Sequence, residues 1–261
     1  MTTPIYPLNL TITPSPSGFS RPPTITLSLP ETLSPSQIQT ILSGTLRANS
    51  PTETLEPIPV YIQPPPPDLP SPGTSSTTTT TTTPTQPPKP TKRLLHLNPY
   101  TDVLLLLNLP SLLSSSLLYP PGSTTPASLS RLLPLLSRFR RIAVPFDPAL
   151  EPEPLLQLWP EHFPHLEDCY VVVDTGLHPE ILRRDENYTP DTIETFVSLE
   201  GKCYDVYGDA EDRAWVVAGG KGTGDGVVKG FNEGLYRKEM GEGGTGMYQA
   251  PRGALLGLVR E

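Results

Sequence analysis

The apolar positions of this chain come in short bursts separated by proline, serine and threonine, and the densest burst is "DVLLLL" at 102–107. Both faces of this run are apolar and the run is short, so its length alone fits a strand or a helical segment. Asn98-Pro99 before it and "NLP" after it decide for a buried strand over 102–107, because the residue before a proline is driven out of the α region. Two later bursts share one spacing. Leu136, Phe139, Ile142 and Val144 form the first, and Phe163, Leu166, Cys169 and Val171 the second, 27 residues on. That period lies in the leucine-rich-repeat range; it equally fits two generic βα units that share a pattern by chance. The run through Leu97 and Tyr100 to Val103 and Leu105 follows the spacing loosely. The candidate crossover helices are "SLSRLLPLLSRF", with Ser128 as cap and Pro134 inside, and "EPLLQLWPEHF", with Pro160 inside. Strands joined by crossovers of this length are parallel.

The other segments are weaker. "TITLSL" (24–29) alternates, and "SPSQIQTILSGTL" (34–46) reads as a short helix with Ser34 as cap, Pro35 at its first position and Ile38, Ile41 and Leu42 on one face. "PPPP" and a threonine run from Thr77 to Thr83 follow Val60; such a segment buries too little apolar area to offset its ordering entropy. Further on, "TPDTIETFVSL" reads as a helix capped by Thr189, and "KCYDVYG" and "RAWVVAG" as a hairpin across "DAED". The expected organisation is a largely disordered arm over 1–60 with one short helix, a Pro/Thr-rich linker over 61–91, an α/β domain over 92–218, and a Gly-rich, weakly ordered tail over 219–261 with a last strand at "ALLGLV". The expected fold class is α/β: a small, mainly parallel sheet of leucine-rich-repeat-like βα units with a C-terminal hairpin, behind a long disordered arm.

Composition sharpens this division. Of 36 prolines, 21 precede residue 91, which leaves one modest core of roughly 110 to 130 residues, a size that folds alone. Charge is uneven too. Residues 91–145 hold six basic and one acidic residue, net +5; residues 146–261 hold ten basic and twenty-two acidic, net −12. An acidic second half argues against phosphate-backbone binding, and "RFRR" (Arg138, Arg140, Arg141) is too short to reverse that. The two cysteines, Cys169 and Cys203, lie in apolar β-like runs and read as buried free thiols of a reducing compartment. "MTTPIYPLNL" lacks the pattern of a secretory signal, and "VLLLLNLPSLL" is too short to span a bilayer. The expectation is an intracellular chain, cytoplasmic or nuclear, bound to neither membrane nor nucleic acid.

Residues 94–174 resemble the fungal two-EXR domain family of F-box-like proteins. The resemblance rests on "HLNPYTDVLLL", with Asn98, Pro99 and Asp102 in place, on "FRRIAV", and on "FPHLEDCYVVV". It covers about a third of the chain. The family's opening helix has only an echo in "LPETLSPSQIQTIL" (29–42), without the Glu-Leu-Arg and the tryptophan, and the "ESR" motif is missing. The resemblance implies a protein-interaction role and no reaction.

Candidate chemistry is sparse. Asp147 and Asp174 follow the second and third expected strands, and ligands of parallel sheets bind beyond the carboxyl ends of strands; the plainer reading makes both of them turn residues. "GGKGTGDG" (219–226) fails the Walker pattern because Gly222, and not Ser or Thr, follows Lys221. His162, His165 and Cys169 have the look of a zinc set, but Pro164 interrupts them and Cys169 falls in an expected strand. "DTG" at 174–176 has no second copy, as an aspartic protease needs. No metal and no cofactor is expected. Pro87, Pro90 and Lys92 fit a P-x-x-P-x-Lys ligand for an aromatic groove, and Thr13, Ser15, Ser34, Ser50, Ser71 and Thr83 precede prolines; linker composition alone explains both. Asn98, Pro99 and Asp102 are expected to organise the turn into the first strand. The function expected is that of a non-enzymatic protein-interaction module with a protein partner; the alternative is a small hydrolase or other enzyme using Asp147 and Asp174.

Overall fold

A computed structural model describes residues 2–13, 23–47, 55–63, 89–113, 118, 127–147, 162–179, 182–184, 195–205, 215–217 and 252–260. In chain order the strands are β1 (Thr2–Thr13), β2 (Thr24–Ser28), β3 (Glu56–Ile62), β4 (Thr91–Leu97), β5 (Val103–Leu106), β6 (Arg141–Pro145), β7 (Asp168–Asp174), β8 (Leu182–Arg184), β9 (Thr195–Val197), β10 (Gly201–Asp205), β11 (Trp215–Val217) and β12 (Arg252–Arg260). The helices are α1 (Pro35–Ser43), α2 (Leu109–Leu113) and α3 (Leu129–Leu132), with a 3-10 turn at Pro134–Arg138. Ten strands form one sheet in the order β4-β3-β2-β1-β5-β6-β7-β12-β10-β9, and β9 also pairs with β1. That last pairing closes a seven-stranded mixed barrel from β1, β5, β6, β7, β12, β10 and β9. Strands β4, β3 and β2 extend outward from β1, while β8 and β11 pair separately.

The expected fold class is therefore overturned. β5, β6 and β7 are parallel neighbours, but they are staves of a barrel and no leucine-rich-repeat-like layer forms. The physical reason is that these strands are apolar on both faces. Leu104, Leu106, Ile142, Val144, Val171 and Val173 join one buried cluster with Leu109, Leu129 and Leu136 of the helical segments. Val103, Ala143, Tyr170 and Val172 alternate with them and join a second cluster with Ile5, Phe196 and Leu256. A single layer with helices on one face leaves that second set in water. Closing the sheet buries it, at roughly 1.5–3 kcal/mol for each large side chain, and removes free edges. The four leucines after Asp102 and Val103 thus serve two cores in alternation.

Closure depends on segments outside the expected α/β domain. β1 and β3 lie in the expected arm, where proline had disguised them, and β12 is the strand expected at "ALLGLV" in the tail. Residues 5–8 of β1 pair with β5 on one edge, while on the other edge β9 takes residues 2–4 and β2 takes residues 9–13. Pro7 falls in the gap between those two ladders, where a missing N–H breaks no bond. In β3, β2 pairs only with Val60 and Tyr61, which leaves Pro57 and Pro59 outside that ladder. The "TFV" expected in a helix is β9, and the expected hairpin does not form: β10 pairs with β9 and β12, and β11 with β8. The linker core (64–88) and residues 218–251 of the expected tail lie outside the described residues. Among the described residues no helix is long and apolar enough to cross a membrane.

Helix α1 has the expected start: Ser34 and Gln37 form a capping box. Its end matters more. Gly44 adopts φ 72° and donates to the Ile41 carbonyl, a left-handed cap that favours glycine. The chain then turns back so that Arg47 forms an ion pair with Asp102 in the β4–β5 turn. The Asp102 side chain is fully buried and that of Arg47 nearly so. In the same turn Asp102 accepts from the Asn98 N–H at 2.8 Å, and Asn98 Oδ1 accepts from the Tyr100 N–H at 2.9 Å. After β5, Asn108 accepts from the Leu10 N–H at 2.9 Å and donates to the Leu10 carbonyl at 2.8 Å. Its amide thus adds one rung to the β1–β5 ladder.

The buried ion pair changes what substitution at Asp102 should do. Local hydrogen bonding alone makes Asp102→Asn nearly harmless. With Arg47 facing it, Asp102→Asn is expected to cost about 3 kcal/mol or more, close to Asp102→Ala, because the guanidinium loses its counter-charge in a buried site. Urea unfolding of the full chain, with an Arg47→Leu/Asp102→Asn double variant losing less than the sum of the singles, checks this. A benign Asp102→Asn contradicts it.

Candidate functional site

The barrel lumen is filled at one end and open at the other. Side chains alternate along each strand, so the lumen-facing positions read directly from the second cluster: Ile5, Val103, Ala143, Tyr170, Phe196 and Leu256, with Cys203 and Leu258 nearer the other end. The Tyr170 and Phe196 rings meet edge to face, centroids 5.3 Å apart. Seven strands enclose less than the eight whose interior side chains just fill, so these residues pack that half of the lumen. One and two steps further along the parallel strands stand Pro7, Leu107, Pro145, Asp174 and Arg260. They line a cavity of about 240 Å³ whose walls include Ile5, Leu105, Val172, Leu258 and Cys203. Pro30, Thr32 and Leu33 lean over it from the β2–α1 connection, Phe146, Leu177 and His178 from beyond β6 and β7. The cavity therefore opens at the carboxyl ends of β1, β5, β6, β7 and β12, opposite the Asn98–Asp102 turn.

Charge is confined to the rim. Asp174, the last residue of β7, accepts from the Arg260 Nε at 2.7 Å through Oδ2 and from the N–H groups of Gly176 and Leu177 at 2.9 and 3.2 Å through Oδ1. Arg260 Nη2 also lies 3.0 Å from Glu200 Oε2. Hydrogen bonding to Asp174 first, and then the charge of Glu200, push the Arg260 guanidinium above its ordinary value, so it is always charged. The β9–β10 turn fixes Glu200. There the Ser198 N–H donates to the Gly201 carbonyl at 2.9 Å, and the Glu200 N–H to the Ser198 hydroxyl at 3.2 Å. Gly201 sits at φ 150°, and a Cβ there meets the Val259 carbonyl oxygen at 2.0 Å. Only glycine permits β10 to approach β12 this closely.

The structure separates the residues singled out in the sequence. Asp174 lines the cavity, whereas Asp147 is exposed and is not among the residues that line it. Asp174, Thr175 and Gly176 form the turn after β7, with the Thr175 hydroxyl donating to the Leu258 carbonyl at 2.8 Å. His162 is buried and accepts from the Leu129 N–H at 3.0 Å, at the start of α3; His165 is exposed. Among the described residues no group of three His, Cys, Asp or Glu side chains could hold a metal. Lys92 belongs to β4, opposite Tyr61, and Pro90 directly precedes that strand. Of the proline-directed sites, Ser34 is engaged in the capping box and Thr13 ends β1. Pro87, Ser15, Ser50, Ser71, Thr83 and the glycine-rich 219–226 lie outside the described residues. Sequence reasoning missed Glu200, Arg260 and Cys203 as site residues. The signal that could have found them, a shared lumen parity, exists only once the barrel is known.

The cysteines are held as thiols. Burial, and then the neighbouring Asp168 charge, push Cys169 up to about 12. Burial, and then the Glu200 charge, push Cys203 up to about 12. A thiol held protonated is no nucleophile at neutral pH. In the unfolded chain a thiol ionises near its ordinary value of about 8.5. Above that pH the unfolded chain holds fewer protons than the folded one, so stability falls with rising pH. The thiol contribution is thus fully present below about pH 8.5 and lost as pH rises toward 12. A thiol-specific disulfide reagent at pH 8 is expected to label neither cysteine until urea is added, and Cys203→Ala should flatten the decline above pH 9. Rapid labelling of Cys203 in the folded chain contradicts this.

Comparison of the chain with family models, with curated proteins and with solved structures finds no match, so the resemblance of residues 94–174 to the two-EXR family rests on the quoted residues alone.

Proposed function

We propose that the protein is a non-enzymatic binding module whose seat is the open mouth of the barrel, and that its ligand is small and largely apolar. The observation that carries this is the cavity itself. At about 240 Å³ it exceeds the roughly 150 Å³ that accommodates benzene and falls short of the ~300 Å³ at which drug-sized pockets begin. One ring or a short branched chain fits. What supports a binding role over a catalytic one is the state of the polar groups. Both oxygens of Asp174 already accept hydrogen bonds, Asp147 does not line the cavity, and Cys203 is held as a thiol. A general acid/base pair or an activated nucleophile needs the opposite of each.

A second reading keeps a protein partner. β4 is the end strand of the ten-stranded sheet among the described residues, and Leu94 on it and Tyr100 beyond it are each 53% exposed. A partner at that edge leaves the barrel mouth untouched, so one variant separates the two. Benzyl alcohol is expected to raise the Tm of the full chain, by an amount equivalent to about 2.7 kcal/mol at a hundredfold excess over its Kd. Leu105→Trp, which fills the cavity from β5, should abolish that shift. No shift in the unaltered chain rules out the barrel-mouth seat; an equal shift in Leu105→Trp places the alcohol somewhere else.

A further inference from the structure

Resting on that reading of the mouth as a ligand seat, we propose that the seat selects a cation: a small apolar ammonium compound whose body enters the lumen and whose charged nitrogen stays at the rim beside Glu200. Among the described residues the rim holds two carboxylates, Asp174 and Glu200, around one guanidinium, Arg260. Asp174 is committed on both oxygens, to Arg260 and to two backbone N–H groups. Glu200 reaches Arg260 through Oε2 only, and its side chain is about half exposed. Excess negative charge therefore stands at the mouth, on a side chain that lines the cavity and keeps an oxygen available to a donor. The described walls beneath it are mostly apolar, among them Ile5, Pro7, Leu105, Val172 and Leu258. An ammonium group completes the 2:2 balance and adds N–H donors where Glu200 can accept. A carboxylate ligand meets the excess negative charge on entering, and Arg260 already faces both Asp174 and Glu200. The Phe146 and His178 rings, edge to face with centroids 5.1 Å apart, line the same mouth, and aromatic rings are favourable neighbours for an organic cation. Because Glu200 and Arg260 are both half exposed, solvent and salt weaken the preference, so it is expected to be a factor of about five at low ionic strength and not orders of magnitude.

Three probes of nearly equal shape decide the matter: benzylammonium, benzyl alcohol and benzoate, each titrated calorimetrically into the full chain at pH 7.5. The expected order of affinity is benzylammonium over benzyl alcohol by about fivefold, with benzoate weakest. The ammonium-to-alcohol ratio should shrink at 0.5 M salt, where screening is strong (~0.5 M). Glu200→Gln should bring that ratio to about one. Benzoate binding as well as benzyl alcohol, or a ratio that survives Glu200→Gln, overturns the charge assignment while leaving the apolar seat intact. Binding of none of the three overturns the seat and this inference together.

Discussion

Everything in this fold hangs on the three-way pairing of β1. Its residues 5–8 hold β5 on one edge, while the other edge is divided between β9 and β2. The first of these ladders makes β1 a stave, the second closes the barrel, and the third hangs β2, β3 and β4 from it. Without β1 the lumen face formed by Val103, Ala143, Tyr170 and Val172 has no closed wall around it, and β9 keeps only β10 as a neighbour. Long-range closure of this kind sets a loop-entropy cost against an area gain, and a filled lumen is what makes the gain sufficient. Pro7 marks the compromise: it lies in the stretch of that edge between the two ladders, where no N–H is needed.

The two ends of the barrel carry different chemistry. At the amino ends of the parallel strands, Asp102 is buried, bound to Arg47 and to the backbone of its own turn, and it ties the helix after β2 to the first leucine strand. At the carboxyl ends, Asp174 holds Arg260 over an apolar opening. Both aspartates are strand-end residues in sequence terms. Burial and partner charge make one a fixed anchor of the fold and the other part of the rim of an apolar cavity. This division is the physical ground for proposing binding at the mouth.

Several elements were legible because their signals are local. The Asn98-Pro99 turn, the Ser34 helix cap and the apolar strand after Asp102 each depend on residues within a few positions of one another. The parallel arrangement of β5, β6 and β7 followed from crossover length. The barrel was not legible because closure joins residues far apart in the chain, such as Thr3 with Phe196 and Cys203 with Leu258. Propensity pointed the wrong way at those places. Prolines made β1 and β3 look disordered, and Thr189-Pro190 suggested a helix over the residues that form β9, whereas the strand expected at "ALLGLV" is found as β12. Of the candidate site only Asp174 could be named beforehand. Glu200 and Arg260 are unremarkable charges until the barrel brings three strand ends together.

Hydrogen–deuterium exchange of the full chain tests barrel closure by β1 most directly. Slow exchange is the mark of backbone amides locked in a cooperative core. If β1 closes the barrel, peptides covering residues 2–13 will exchange as slowly as those covering 168–174 and 252–260, and all three will open together as urea is added. Fast exchange of residues 2–13 beside a protected 168–174 means that the first strand is an arm after all, and the closed barrel and its mouth fall with it.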